Sequence, residues 1–210
     1  MFSNLLSTTA VVLATSGLAA AQTFSACDPI KGQTCPDDPA FSSSMVTVDF
    51  TQGASDVFTV AEGTTLSYDS TLGAAFTINK NGEAPTITSK DYIFFGKVDA
   101  WVQASAGTGI VTSFVLLSDD LDEIDWEWLG GDTTQVQTNY FHQGNTTTYD
   151  RGGYSSVNDP QSTVHKYSLD WQPTQLTWSI DDVVVRTLTY ADAYNGLTYP
   201  QTPMQIKLGT

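Results

Sequence analysis

The sequence predicts an all-β fold, a β-sandwich or jelly roll, on three observations. Strand-length runs with period-two alternation recur from Met45 to the end of the chain. Turn-forming clusters such as Asn81-Gly82, Gly130-Gly131-Asp132 and Gln172-Pro173 separate them. No segment keeps apolar residues at helical spacing for more than about three turns. About eleven such strands in one domain require two packed sheets.

Taken in order, the first 21 residues read as a leader outside the fold. Val11 to Leu18 is short, apolar and rich in small residues, and Ala19-Ala20-Ala21 fits a signal-peptidase site ahead of Gln22. The apolar run falls far short of the roughly 20 residues that span a bilayer, so secretion is the expectation. Only the amino terminus supplies positive charge ahead of it, because Lys and Arg are lacking there. Residues 22–44, rich in Pro, Ser, Asp and Cys, read as an irregular lead-in. Cys27 and Cys35 are the only cysteines. In an oxidising route they form a small-loop disulfide that pins this segment. A metal or redox pair fits poorly, since the spacing is not C-x-x-C and no further Cys completes a site.

Residues 45–210 then form the main domain, with neither internal repeat nor linker. Its expected strands are Met45–Phe50, Leu66–Asp69, Ala74–Ile78, Tyr92–Gln103, Ile110–Leu117 and Glu123–Leu129. Gln135–Phe141, Val164–Trp171, Gln175–Ile180, Val183–Tyr190 and Met204–Leu208 follow, with a short helix expected around Ala191–Gly196. Asn145-Thr146-Thr147 is the only N-glycosylation sequon and needs an exposed loop to be used. After Leu208-Gly209-Thr210 there is no Ser/Thr-rich stalk or hydrophobic tail for a glycolipid anchor, which predicts a soluble chain without a transmembrane segment. The net charge of −15, from 8 basic and 23 acidic residues, disfavours nucleic acid as a partner.

The most informative run is Asp122-Glu123-Ile124-Asp125-Trp126-Glu127-Trp128. On a strand, Glu123, Asp125 and Glu127 share one face while Ile124, Trp126 and Trp128 share the other. A row of like charges aids no fold. Four residues of strand separate the Cα atoms of Glu123 and Glu127 by about 13 Å. Side chains leaning together bring the carboxyls towards the roughly 5–5.5 Å used in retaining glycoside cleavage. The alternative is a solvated acidic face. It is weakened by Trp126 and Trp128, which demand burial and make this a central strand whose acids line a cleft.

The pattern E-hydrophobic-D-hydrophobic-E resembles the catalytic strand of glycoside hydrolase family 16. Within that family the chain resembles the fungal Crh-type cell-wall transglycosylases, which join chitin to β-glucan. The likeness extends through Leu129-Gly130-Gly131-Asp132, Thr138-Asn139-Tyr140-Phe141 and Thr147-Thr148-Tyr149-Asp150-Arg151-Gly152. It continues at His165-Lys166-Tyr167, Asp170-Trp171, Trp178, Asp181-Asp182 and Val185-Arg186, and includes the cysteine pair. It implies a concanavalin-like jelly roll with a concave sugar-binding cleft. Glu123 resembles the nucleophile, Glu127 the general acid/base and Asp125 the assisting carboxylate, on a strand without a bulge.

Charges on Glu123 and Asp125 are expected to raise the pKa of Glu127, so removing that of Asp125 lowers it. Tyr140, Arg151, Trp178 and Lys207 join Glu127 as implied substrate contacts. A loop-stabilising pair is the alternative for Arg151, and Trp101 and Trp171 are weaker stacking candidates whose default is the core. His142 and His165 are too few for a metal site, and turn capping explains Asp119, Asp120 and Asp132 better than calcium does. No cofactor or metal is implied.

The implied partner is polysaccharide, with chitin as donor and β-glucan or chitin as acceptor. The implied setting is a secreted monomer in the fungal cell wall, with a glycolipid anchor only on a longer chain. In that family a further aromatic residue, glycine-rich turn and core strand follow the equivalent of Lys207-Leu208-Gly209, so residues 45–210 read as a catalytic domain short of its last strand. An endo-β-1,3(4)-glucanase and a non-catalytic, lectin-like jelly roll are the alternatives. Three aligned acids argue against the lectin.

Overall fold

A computed structural model describes residues 25–148 and 150–210. The expected leader, residues 1–21, lies outside the described residues.

The described chain is almost entirely strand and turn. Its strands are β1 (Phe58–Val60), β2 (Leu66–Asp69), β3 (Gly73–Phe76), β4 (Thr86–Ile93), β5 (Gly96–Val102), β6 (Val111–Ser118) and β7 (Glu123–Leu129). β8 (Gln135–Phe141), β9 (Gly153–Ser156), β10 (His165–Trp171), β11 (Gln175–Ile180), β12 (Val183–Thr189) and β13 (Met204–Gly209) complete them. Seven form one sheet in the order β1-β4-β13-β6-β7-β8-β9, four form a second in the order β12-β11-β10-β5, and β2-β3 is a separate hairpin. The sandwich expected from sequence is what forms.

Alternation along the strands supplies the interface. Phe114, Leu116, Ile124, Trp126 and Trp128 of the larger sheet meet Tyr167, Leu169, Trp171, Leu176 and Trp178 of the smaller one in a single core. The Trp126 and Trp128 rings lie 6.4 Å apart, and Tyr167 sets its edge against both, at 5.2 and 4.5 Å. Edge-to-face packing of this kind adds roughly 0.5–1.5 kcal/mol per pair to the burial itself. β7 sits fifth of seven, between β6 and β8, so its neighbours shield it on both sides.

Several expected elements change. Met45–Phe50 is not a strand: Met45 and Val46 are exposed, and the segment ends in a 3-10 turn at Phe50–Gln52 capped by Asp49, which accepts from the Thr51 amide at 2.9 Å. Tyr92–Gln103 divides into the end of β4 and the whole of β5, which belong to different sheets. The division falls at Phe95 and Gly96, with φ of 63° and 127°, where a left-handed corner carries the chain from one layer to the other. The helix expected at Ala191–Gly196 is a turn-rich loop, because Tyr194, Asn195 and Gly196 all take positive φ. A Cβ on Gly196 would lie 1.9 Å from the Tyr190 ring, so the loop folds too closely on itself for any other residue.

The lead-in is irregular and held as expected. Cys27 and Cys35 are disulfide-bonded. Downstream, the Tyr92 amide donates to the Pro39 carbonyl at 2.7 Å and the Phe41 amide to the Tyr92 carbonyl at 3.3 Å, fastening the segment to β4. Among the described residues no helix is long and apolar enough to cross a membrane.

Candidate active site

β7 presents Glu123, Asp125 and Glu127 on the face opposite Ile124, Trp126 and Trp128. Its register is unbroken against both β6 and β8, so the strand carries no bulge. Directly paired residues share a face. Leu117, Val115 and Ser113 therefore flank the acids on β6, and Phe141, Asn139 and Gln137 flank them on β8. One strand further out on β13, Gln205 and Lys207 pair with Leu117 and Val115. Lys207 thus stands on the acid face, half-buried. Burial pushes its amine below the ordinary lysine range, while the charges of Glu123 and Asp119 act the other way.

This face is recessed. Glu123 is 3% exposed and Asp125 2% exposed, and Glu127 is half-buried. Burial raises the Asp125 carboxyl well above the ordinary range, followed by the charges of Glu123 and Glu127 and a hydrogen bond with Glu123; Arg186 acts weakly the other way. Asp125 thus resists ionisation more than an ordinary aspartate and shares a hydrogen bond with Glu123. Burial also raises Glu127. The expectation that its neighbours' charges do this is corrected: burial accounts for the shift. A carboxyl whose pKa burial raises suits the general acid of a double displacement.

Because burial sets the Glu127 shift, replacing Asp125 by Asn leaves the Glu127 titration near its place. The effect on stability has a definite sign. A carboxyl whose folded pKa is raised makes the fold lose stability as pH climbs from about 3.9, its unfolded value, up to the folded one. Asp125→Asn escapes that loss. Urea unfolding should show the variant gaining on the parent between pH 4 and pH 7. A lead that shrinks over that interval would mean that Asp125 ionises readily.

Behind β7, two residues of the smaller sheet brace it. The Trp178 indole, on β11, donates from Nε1 to the Asp125 carbonyl oxygen at 3.0 Å. Arg186, on β12, donates from Nη1 to the carbonyl and hydroxyl oxygens of Thr138 at 2.8 and 2.9 Å, and from Nη2 to the Arg151 carbonyl at 2.5 Å. Its guanidinium carbon lies 4.7 Å from the Trp178 ring and 5.7 Å from the Tyr140 ring. Two expected sugar contacts are corrected here. Trp178 is wholly buried and Tyr140 nearly so, both in the inter-sheet core, because their strands alternate them inward. Trp171 is buried likewise. Trp101 is exposed, but on the outer face of the smaller sheet, away from the acids and near the Lys166 amine.

Arg186 had no role from sequence. Its signals were its place in the resembling Val185-Arg186 segment and that Arg151 and Arg186 are the only arginines. Arg151 donates from Nη2 to the carbonyls of Asn145 and Thr148, so it ties its own loop, through main-chain oxygens where the expected alternative was a pair with Asp150 or a nearby acid. Asn145 lies exposed on that loop. His165 is held by Asp181 and by the Asn158 carbonyl, and His142 by the fully buried Asp122 at 2.7 Å. That same Asp122 also accepts from the Gln143 and Gln201 amides and the Thr202 hydroxyl, joining two loops at the head of β7. Asp132 caps its turn through the Thr134 amide. Among the described residues no three His, Cys, Asp or Glu side chains group to hold a metal.

Residues 53–210 match the glycosyl hydrolases family 16. The chain is 52% identical over 204 residues to Crh-like protein 5 of Aspergillus fumigatus, covering 97% of this chain and 51% of that protein. It is 50% identical over 198 residues to Crh-like protein 1 of the same fungus, covering 94% and 53%. The chain thus spans about half the length of the curated relatives it matches. Among solved structures, a Crh5 transglycosylase in complex with NAG superposes with a TM-score of 0.83 at 54% identity, over 87% of this chain and 74% of that one. A Bacillus licheniformis β-glucanase superposes with a TM-score of 0.62 at 25% identity, over 77% and 82%.

Proposed function

Because this chain belongs to glycosyl hydrolase family 16, we propose that it carries the catalytic site of a secreted cell-wall transglycosylase. It would cleave chitin-type β-1,4 linkages and pass the cut chain to β-glucan or chitin. The observation that carries this reading is the row Glu123, Asp125 and Glu127 on one recessed strand face, with burial raising the middle and last acids. Glu123 attacks the anomeric carbon as the glycosidic C–O bond breaks, and Glu127 gives its proton to the departing oxygen. An acceptor hydroxyl then attacks the same carbon, Glu127 takes its proton, and Glu123 is released. Two inversions retain the configuration. The hydrogen bond with Asp125 holds Glu123 in its attacking orientation, so Asp125→Asn, whose amide still donates, should keep a measurable part of the activity. A variant as inactive as the glutamate ones while still folded would give Asp125 a direct part in the chemistry.

The preference for a sugar acceptor over water separates this reading from an endo-β-1,3(4)-glucanase, the reading that likeness to the Bacillus β-glucanase favours. Incubation with labelled chito-oligosaccharide donor and laminari-oligosaccharide acceptor distinguishes the two. Hybrid chains are the expected product. Shortened chains alone would sink the transglycosylase reading and leave a hydrolase.

A further inference from the structure

Beside the acid row lies a cleft of about 490 Å³ that the three carboxylates do not line. Its floor is sheet: Tyr92 from β4, Gln205 and Lys207 from β13, and Leu117 from β6. Its wall is the disulfide ring of the lead-in, through Cys27 and the adjoining Pro36.

Register connects this cleft to the acids. Tyr92 pairs with Gln205, Gln205 with Leu117 and Leu117 with Glu123, one row running across four strands on one face. Strands lie about 4.8 Å apart, so Gln205 stands about 10 Å and Tyr92 about 14 Å from Glu123. A polysaccharide crossing the strands at Glu123 runs directly into the cleft.

The lining suits a pyranose, which offers hydroxyls at its rim and C–H groups on its faces. Polar groups are set in place among apolar ones. The Tyr92 hydroxyl donates to Asp119 at 3.2 Å, and the Gln205 amide donates to the Ser89 carbonyl at 2.7 Å. Leu117 and Pro36 supply apolar surface. Side chains held in this way lose little freedom on binding.

The wall owes its shape to the ring. Within it, Asp28 accepts from the Ile30 amide and the Lys31 amine, and the Asp28 amide donates to Gln33. The segment is fastened to the sheet downstream, at Pro39 and Phe41 on Tyr92. The disulfide joins the two ends of the ring.

We propose that this cleft is a remote sugar subsite walled by the Cys27–Cys35 ring, so that affinity for a glycan grows with chain length only while the ring is closed. The proposal rests on the reading above, that the acid face binds polysaccharide. Its ligand is a pyranose unit of the chain bound at the acids, and the donor or acceptor series that shows the length effect identifies which chain enters.

The test uses Glu123→Gln protein, so that ligands are not consumed, and calorimetric titration with N-acetylglucosamine oligomers and β-1,3-glucose oligomers of three to six units. Affinity should rise with length in one series. Cys27→Ser/Cys35→Ser should reduce affinity for the long members about tenfold, the loss of one or two hydrogen bonds, and leave the short ones unchanged. Gln205→Ala, which keeps the ring intact, should show the same selective loss. An unchanged ratio of long-chain to short-chain affinity in both variants overturns the subsite, while hybrid-chain synthesis by the parent would still uphold the transglycosylase. If no oligomer of either series binds, the polysaccharide reading falls and the subsite falls with it.

Discussion

Glu123→Gln is expected to reduce synthesis of hybrid chains at least a thousandfold, to about the background rate. The amide has no charge with which to attack the anomeric carbon, and no neighbour replaces it. Asp125 is held from ionising by burial and is hydrogen-bonded with Glu123, and Glu127 lies four residues along the strand. Labelled-donor transfer, measured beside a denaturation curve, separates lost chemistry from lost folding. Undiminished transfer in a folded Glu123→Gln protein would refute the assignment of the nucleophile.

Glu127→Gln should cost about a hundred- to ten-thousandfold on natural linkages, the range for loss of a general acid. The loss depends on the leaving group. An aryl glycoside, whose phenolate departs without a proton, should still load Glu123, and the block then moves to the second step, where no base remains to deprotonate the acceptor. The pH profile gives an independent check. Glu127 must be protonated to begin the reaction, so the parent's activity falls as pH rises through the Glu127 pKa, which burial holds above the usual 4.5. That alkaline limb should vanish from the residual activity of the variant. If the limb stays where it was, another group supplies the proton.

How far this was legible in the sequence depends on how many neighbours each decision needs. β7, β8 and β11 fall on their expected ranges, since alternation is written residue by residue. The placing of Trp178 and Tyr140 was not legible. Both faces of a strand like β7 are buried, one by the second sheet and one by its own recess, so composition cannot tell an inward aromatic from a sugar platform. The cause of the Glu127 shift was missed for the same reason: three acids in a row announce repulsion, whereas only the packed structure shows burial taking the larger share. Tyr92–Gln103 looked continuous because nothing local marks Phe95 as a corner; the two sheets on either side impose it. The lead-in, read only as an irregular segment, gains a place beside the acid row through long-range packing that no short pattern encodes.

The brace behind β7 has a consequence for how the molecule tolerates change. Trp178 grips the strand at Asp125 itself, and Arg186 grips the neighbouring strand at Thr138. The aim of the three acids is therefore inherited from a layer that never meets substrate. Loops around the acid face can shift while the acids stay aligned. A conservative repacking of the far layer reaches the acids directly, so precision of turnover is lost there well before the sandwich itself comes apart.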